Sequence, residues 1–329
     1  MASLRSAVKH VLRVDQVQQR LAERVSQQVR SECSAISKEI VHQVQSDYQM
    51  LSDAVLQRVR AEYTVLPRFQ FHQPLDYEAN TYPVAFEPPT SVAGEELPVP
   101  APADRMGYCP NDAADYLAWG KYDHDYIMGH IRRHATELEH CTILDFGCSS
   151  GRVLRHFDAE RRERGWKLWG LDIQARPIEW MRYHLPSHFQ VSACSTMPHL
   201  PFPDASVDFI YGISVFTHIK YLWDAWLLEL KRVLKPNGLL LQTIHAEHAW
   251  EFYFKNRTEQ WIQQAHSAEM LQKERMDVDF LYFGDASCSQ VFWKEEVARS
   301  FWGRYLDVLD VAPPPQRSFQ NWMICRKAA

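Results

Sequence analysis

The sequence predicts an α/β fold built around a parallel sheet, and three observations carry that expectation. From Cys141 onward, short apolar runs alternate with amphipathic stretches, the rhythm of strands joined by crossover helices. The first run, in TILDFGCSSGRVLRHF (Thr142–Phe157), ends in an acid, a glycine and small polar residues before a helical pattern begins. The second, in KLWGLDI, also ends in an acid, Asp172. Parallel sheets bind ligands beyond the carboxyl ends of their strands, where the first strand-to-helix turn needs small residues for close backbone approach.

The elements follow in chain order. Residues 1–66 hold neither glycine nor proline, and apolar residues recur at Val14, Val17, Leu21, Val25, Val29, Cys33, Ile36, Ile40, Val44, Tyr48, Leu51, Val55 and Val59. Steps of mostly four and sometimes three residues place them on one stripe, nearer an eleven-residue repeat than heptads, which predicts a long, nearly straight helix. Such a helix outruns one compact domain, so its stripe needs another cover: a second copy in a coiled-coil homo-oligomer, a partner enzyme, or a hairpin folded back near Ser31–Ser34. Prolines from Pro67 to Pro102 then interrupt all periodicity, and residues 67–104 read as an extended linker. Residues 105–329 form the α/β body. Its first part, Asn111–His140, predicts one or two amphipathic helices, capped by Asn111 or Asp112 and broken at Gly120. Strands are expected at Thr142–Phe146, KLWGLDI, HFQVSA, VDFIYGIS and GLLLQTIH, with helices after Gly151, near Pro177–Leu185 and near Leu222–Leu234.

Composition narrows the partners. A formal charge of −5 supplies no basic field for nucleic acid or an anionic membrane. No apolar run approaches the roughly 18 residues of a membrane span, and the start of the chain lacks an apolar leader core. The seven cysteines are odd in number and contain no CxxC pair, which fits reduced thiols in a cytoplasmic protein better than disulfides or structural zinc.

The ligand can be read from the two acids. Gly147 can take a positive φ, Cys148–Ser150 keep the turn narrow, and Gly151 lets the helix begin beside the ligand with its backbone donors exposed. Asp145, at the strand's end, would repel a pyrophosphate and suits a ligand with a cationic tail. Asp172 stands about 20 residues past the turn, where a carboxylate can accept from both ribose hydroxyls. DFGCSSG also misses the GxGxxG spacing of dinucleotide sites. A nucleoside with a positively charged tail is the implied ligand.

These motifs resemble the class I S-adenosylmethionine-dependent methyltransferases, specifically the type 11 group, over about residues 105–328. DFGCSSG resembles that family's DxGxGxG motif with Ser149 in place of the middle glycine, and LDI its second acidic motif. LPFPDASVDFIYGISVFTHI and LLELKRVLKPNGLLLQTIH are similar to its fourth- and fifth-strand segments. The tail, SQVFWKEEVARSFWGRYLDVLDV and SFQNWMICRK, resembles a bacterial subgroup tied to cell-surface glycan pathways, in which a helix precedes a final antiparallel strand pair. The resemblance implies a Rossmann-like seven-stranded sheet and S-adenosyl-L-methionine as cofactor. It carries the binding roles to Asp145, Phe146, Gly147, Cys148, Ser149 and Gly151 for the methionine part, Asp172 and Ile173 for ribose and adenine, Cys194 or Ser195 at the adenine edge, and Ser214 after the fourth strand. An Asp or Asn is usual at the adenine edge; Cys194 is a poor acceptor, so Ser195 or a backbone carbonyl would receive the adenine amino group.

Two histidines are placed for chemistry at the carboxyl edge, His218 in SVFTHI and His245 in LQTIH. Either imidazole could take a hydroxyl proton near neutral pH, and either could instead serve only to bond a backbone carbonyl. His245 and His248 have metal-pair spacing without a supporting carboxylate series, so no metal is expected. No NPPY-type segment follows the fourth strand, which disfavours adenine or glutamine N-methylation. Aromatic residues in Trp250–Trp261 and Asp279–Ser287 line an acceptor pocket or pack on the sheet edge. The expected activity is O-methylation of a glycan, sugar or other small molecule. Rival readings are a noncatalytic cofactor-binding scaffold and a protein or RNA methyltransferase.

Overall fold

The computed structural model describes residues 20–35, 37–40, 42–43, 46, 86–106, 108–109, 111–265, 278–283, 289–315 and 318–329. The chain divides into two compact units, Met1–Tyr82 and Pro83–Ala329. In the first, helix α1 covers residues 20–35 and continues at 37–40, with Leu21, Val25, Val29 and Ile40 all exposed along it. The stripe positions Val14, Val17, Ile36, Val44, Tyr48, Leu51, Val55 and Val59 lie outside the described residues, as do 67–85 of the expected linker.

The second unit is the expected α/β body. Seven strands, β1 (Thr142–Phe146), β2 (Lys167–Asp172), β3 (Phe189–Ala193), β4 (Val207–Gly212), β5 (Leu234–Ile244), β8 (Asp307–Ala312) and β9 (Asn321–Arg326), form one sheet ordered β3-β2-β1-β4-β5-β9-β8. The first five are parallel; β9 runs antiparallel to β5, and β8 to β9. Period-two alternation separates the two faces. Leu144, Ile210, Leu240 and Met323 pack with helices α5 (Trp223–Val233) and α8 (Glu295–Trp302), while Ile143, Phe209, Leu241 and Ile324 pack with α2 (Ala113–His134) and α4 (Ala175–His184). A short helix α3 (Asp158–Arg164) follows β1 after a 3-10 turn at Leu154–Phe157. The strand order reverses between β1 and β4, which is where such sheets open a ligand crevice.

α2 is one helix, not two. Asp112 caps it by accepting from Ala114 N and Asp115 N. Gly120 does not break it; a Cβ there would sit 2.1 Å from Arg152 O, so glycine marks the close approach of α2 to the segment after β1.

Residues 86–104, expected as linker, fold onto the body instead. Thr90 pairs with Val99, and Val99 and Ala101 are buried. Two buried arginines are the cause. Arg155 Nη2 donates to Leu97 O at 2.8 Å and Pro98 O at 3.0 Å and pairs with Glu95 at 3.2 Å, while Arg105 donates to Pro100 O at 2.8 Å and Cys109 O at 3.0 Å. Prolines remove N–H donors but keep carbonyls, so this strap is rich in acceptors that a guanidinium can collect. Asp104 anchors its end: the carboxylate pairs with Arg176 at 2.6 Å, and its main-chain carbonyl accepts from Ser150 Oγ at 2.8 Å.

A second, two-stranded sheet joins β6 (Phe280–Phe283) to β7 (Gln290–Trp293). Between β5 and this hairpin come α6 (Glu247–Lys255) and α7 (Gln260–Ala265). Trp250, Tyr253, Ile262 and Phe292 form a small core of their own, so the described aromatic residues of the insert mostly pack together rather than stand open.

Candidate functional site

The turn after β1 has the geometry its small residues imply. Gly147, Ser149 and Gly151 take φ of 90°, 50° and 78°. A Cβ on Gly147 would lie 2.4 Å from Val215 Cγ2, so the loop after β4 closes directly onto the turn. Ser149, where the resembled motif carries glycine, occupies the left-handed region at the strain usual for a non-glycine residue. Gly147 N and Cys148 N donate to Leu171 O at 2.8 and 2.9 Å, which ties the turn to the end of β2.

Asp172 completes that tie. Its carboxylate accepts from Ser149 N and Gln174 N, both at 2.8 Å. Burial raises its pKa, opposed by these backbone donors. The Ser149 hydroxyl is buried without a hydrogen-bond partner.

Asp145 lies beneath the turn, 3% exposed, and receives the Tyr211 hydroxyl at 2.7 Å. Burial pushes its pKa up to about 7; Tyr211 and Arg152 oppose the rise, and Asp172 and Asp123 add to it. Arg152 is itself buried, paired with Asp123 at 2.7 Å and stacked 4.7 Å from the Tyr108 ring. Asp145 is therefore a carboxyl held near its ionisation point, whose charged form a nearby cation would favour.

Beyond β2 and β3, Ile173 directly after β2 is 52% exposed and Met197, in the loop after β3, is 46% exposed. The Cys194 N–H is spent on Asp172 O at 2.9 Å, and burial pushes its thiol up to about 11. Ser195 Oγ accepts from Met197 N at 3.1 Å and is exposed. Phe146 is buried in the core against Trp226, with ring centroids 5.0 Å apart, so only its backbone is offered to the turn.

The two histidines sit differently. His218 donates from Nδ1 to Ser289 O at 2.6 Å, and burial lowers its pKa. His245 is 1% exposed, with its ring against Phe292 and Tyr253 and its Nε2 3.3 Å from Gln320 Nε2 and 3.5 Å from the Tyr253 hydroxyl. Gln320 also bonds Ser214 Oγ at 2.8 Å, and Ser214 N donates to Thr243 Oγ1 at 2.7 Å. The structure thus brings Ser214 and His245 together through Gln320, while the His218 imidazole bonds Ser289, just before β7. Among the described residues no group of three or more His, Cys, Asp or Glu could hold a metal.

Sequence reasoning missed Tyr211, Arg152 and Gln320. Only Arg152 carried a local signal, a charged residue directly after the last glycine of the turn; Tyr211 and Gln320 act through partners 66 and 106 residues away.

Residues 144–242 match the family model described as a methyltransferase domain. The chain is 30% identical over 119 residues to a malonyl-acyl-carrier protein O-methyltransferase of Hahella chejuensis, an alignment covering 33% of this chain and 40% of that protein. It is 32% identical over 106 residues to the biotin biosynthesis bifunctional protein BioHC of Cellvibrio japonicus, covering 31% and 19%. The chain thus spans less than half the length of these curated relatives. A crystal structure of an S-adenosylmethionine-dependent methyltransferase from Clostridium acetobutylicum aligns over 65% of this chain and 93% of that one, at 12% identity and a TM-score of 0.43. The geranyl diphosphate C-methyltransferase of Streptomyces coelicolor, solved with S-adenosyl-L-homocysteine, aligns over 69% and 88%, at 12% identity and a TM-score of 0.41.

The match over residues 144–242 supports a methyltransferase domain that takes S-adenosylmethionine as its cofactor. The residues present fit that group: a turn kept free of side chains at Gly147, an unpartnered Ser149 hydroxyl, a carboxylate at the end of β2 and the exposed Ile173 next to it. No helix among the described residues is long and apolar enough to cross a membrane.

Proposed function

We propose that this protein is an O-methyltransferase acting on a sugar, glycan or other small molecule in the cytoplasm. The observation that carries the reading is Asp172, which holds the glycine turn through Ser149 N while standing at the end of the strand where a ribose would lie. When bound, S-adenosylmethionine supplies an electrophilic methyl group. The turn backbone and Asp172 would hold it, and Asp145, poised near neutrality, would gain charge beside its cationic tail. His218 is the general base of this reading, because its Nδ1 proton is committed to Ser289 O and Nε2 keeps its lone pair. Oxygen as the methylated atom is supported by the O-methyltransferase among the relatives. A sugar acceptor is supported by the exposed rings of Tyr221 and Tyr282, 5.8 Å apart, since aromatic faces stack on sugars.

Isothermal titration with S-adenosylmethionine and its demethylated product tests the core of the reading. Asp172→Asn places an amide donor against one of the two backbone N–H groups and should weaken binding by roughly 2–4 kcal/mol, or about 30- to 1000-fold. Unchanged affinity would refute the assignment. Cofactor binding without methyl transfer to any member of a sugar and metabolite panel would favour the scaffold reading.

Residues 1–66 are proposed to join copies of the chain, a reading supported by Leu21, Val25, Val29 and Ile40 exposed along α1. Sedimentation of the full chain against residues 83–329 should show the oligomer only in the former.

A further inference from the structure

The hairpin β6–β7 stands outside the seven-stranded sheet, yet β7 is laid against the loops carrying both histidines. Val291 N donates to Thr217 O at 2.8 Å, and Trp293 N to His245 O at 2.9 Å. Just before β7, Ser289 is wholly buried and clasps His218 twice: its hydroxyl donates to the His218 carbonyl at 2.5 Å, and its own carbonyl receives Nδ1–H at 2.6 Å. The buried Gln290 sets its amide nitrogen Nε2, a donor, 3.5 Å from the same nitrogen, so it cannot take the Nδ1 proton and is a much longer contact than the 2.6 Å one to Ser289 O. A carbonyl can only accept, so the short contact requires the proton on Nδ1 and leaves Nε2 unprotonated in the neutral ring.

We propose that Ser289 is a positioning residue, through which the β6–β7 hairpin holds His218 in the Nδ1–H tautomer with Nε2 as its proton-accepting atom. The use of that atom as a base rests on the proposed methyl transfer; the tautomer does not. Among the described residues no charged side chain shifts this imidazole. Lys220, on the same loop, holds its ammonium 5.0 and 5.5 Å from the Tyr221 and Tyr282 rings, and burial alone lowers the imidazole pKa, opposed only by the Ser289 carbonyl. The hairpin thus has a chemical task besides covering the end of the sheet.

The test is NMR of the full chain with isotope-labelled histidine, the His218 signals assigned by their loss in His218→Gln. The wild type should show a bare Nε2 and a protonated Nδ1 in the neutral ring. Gln290→Glu sets a carboxylate beside Nδ1–H, so the His218 midpoint should rise by roughly one pH unit or more, with the tautomer kept. Affinity for S-adenosylmethionine should not change, because neither residue touches the glycine turn. An Nε2–H tautomer in the wild type would overturn the proposal, whatever the variant does, and so would an unmoved midpoint in folded Gln290→Glu. Failure of the wild type to bind S-adenosylmethionine would refute the proposed function and leave this assignment standing.

Discussion

Asp145→Asn offers a measurement whose sign follows from burial. The asparagine keeps an oxygen for the Tyr211 hydroxyl but cannot ionise. In the native protein burial lifts Asp145 from the ordinary aspartate value of 3.8 to about 7. The unfolded chain ionises this carboxyl near its ordinary value, so between the two values the native state holds more protons. Wild-type stability therefore falls as pH rises from about 4 to about 7, and the full cost is carried above that. A displacement of roughly three pH units corresponds to about 4 kcal/mol. Asn has no such slope. Urea unfolding of both proteins at pH 4, 6 and 8 should show the stability difference moving toward the variant by about 4 kcal/mol across that range. Packing differences that do not depend on pH cancel in this comparison. A stability difference that stays flat would show that Asp145 is already ionised in the native protein and would remove the argument that a cation completes its charge. The same variant should bind S-adenosylmethionine more weakly, which would make the buried acid a stability cost retained for binding.

Three further outcomes follow from named positions. Gly120→Ala should destabilise the body by roughly 2–4 kcal/mol, because the added Cβ meets Arg152 O at 2.1 Å and main chain must move. Gly129→Ala on the same helix meets nothing within 4 Å and should instead be neutral or stabilise by up to about 1 kcal/mol; thermal melts of the pair check both. His218→Gln should lower kcat by roughly 10²- to 10⁴-fold with cofactor affinity intact, measured by titration beside product formation once an acceptor is in hand.

Much of the body was legible because its signals are local. Apolar runs of strand length, small residues in the turn after β1 and acids closing β1 and β2 all sit within a few residues of one another, so backbone sterics and burial act on them without help from the rest of the chain. The helix before the final antiparallel pair was expected only from the family resemblance of the tail. The proline-rich strap was not legible. Its composition says only that the backbone is extended; whether it docks depends on Arg155, which reaches carbonyls 57 and 58 residues earlier. The β6–β7 hairpin was hidden likewise, because aromatic content marks an insert but not the strand pairing that Phe280–Trp293 makes across it.

By itself the sequence determined the order of the parallel strands' building blocks, the glycine turn and the two acids, since each is set by residues adjacent along the chain. Only the tertiary structure decided what those acids experience. Tyr211 reaches Asp145 from 66 residues away, Gln320 reaches Ser214 from 106, and Ser289 reaches His218 from 71. Hydrogen bonds and desolvation, which set protonation and tautomer, depend on what packs in space, and spacing along the chain carries no record of it.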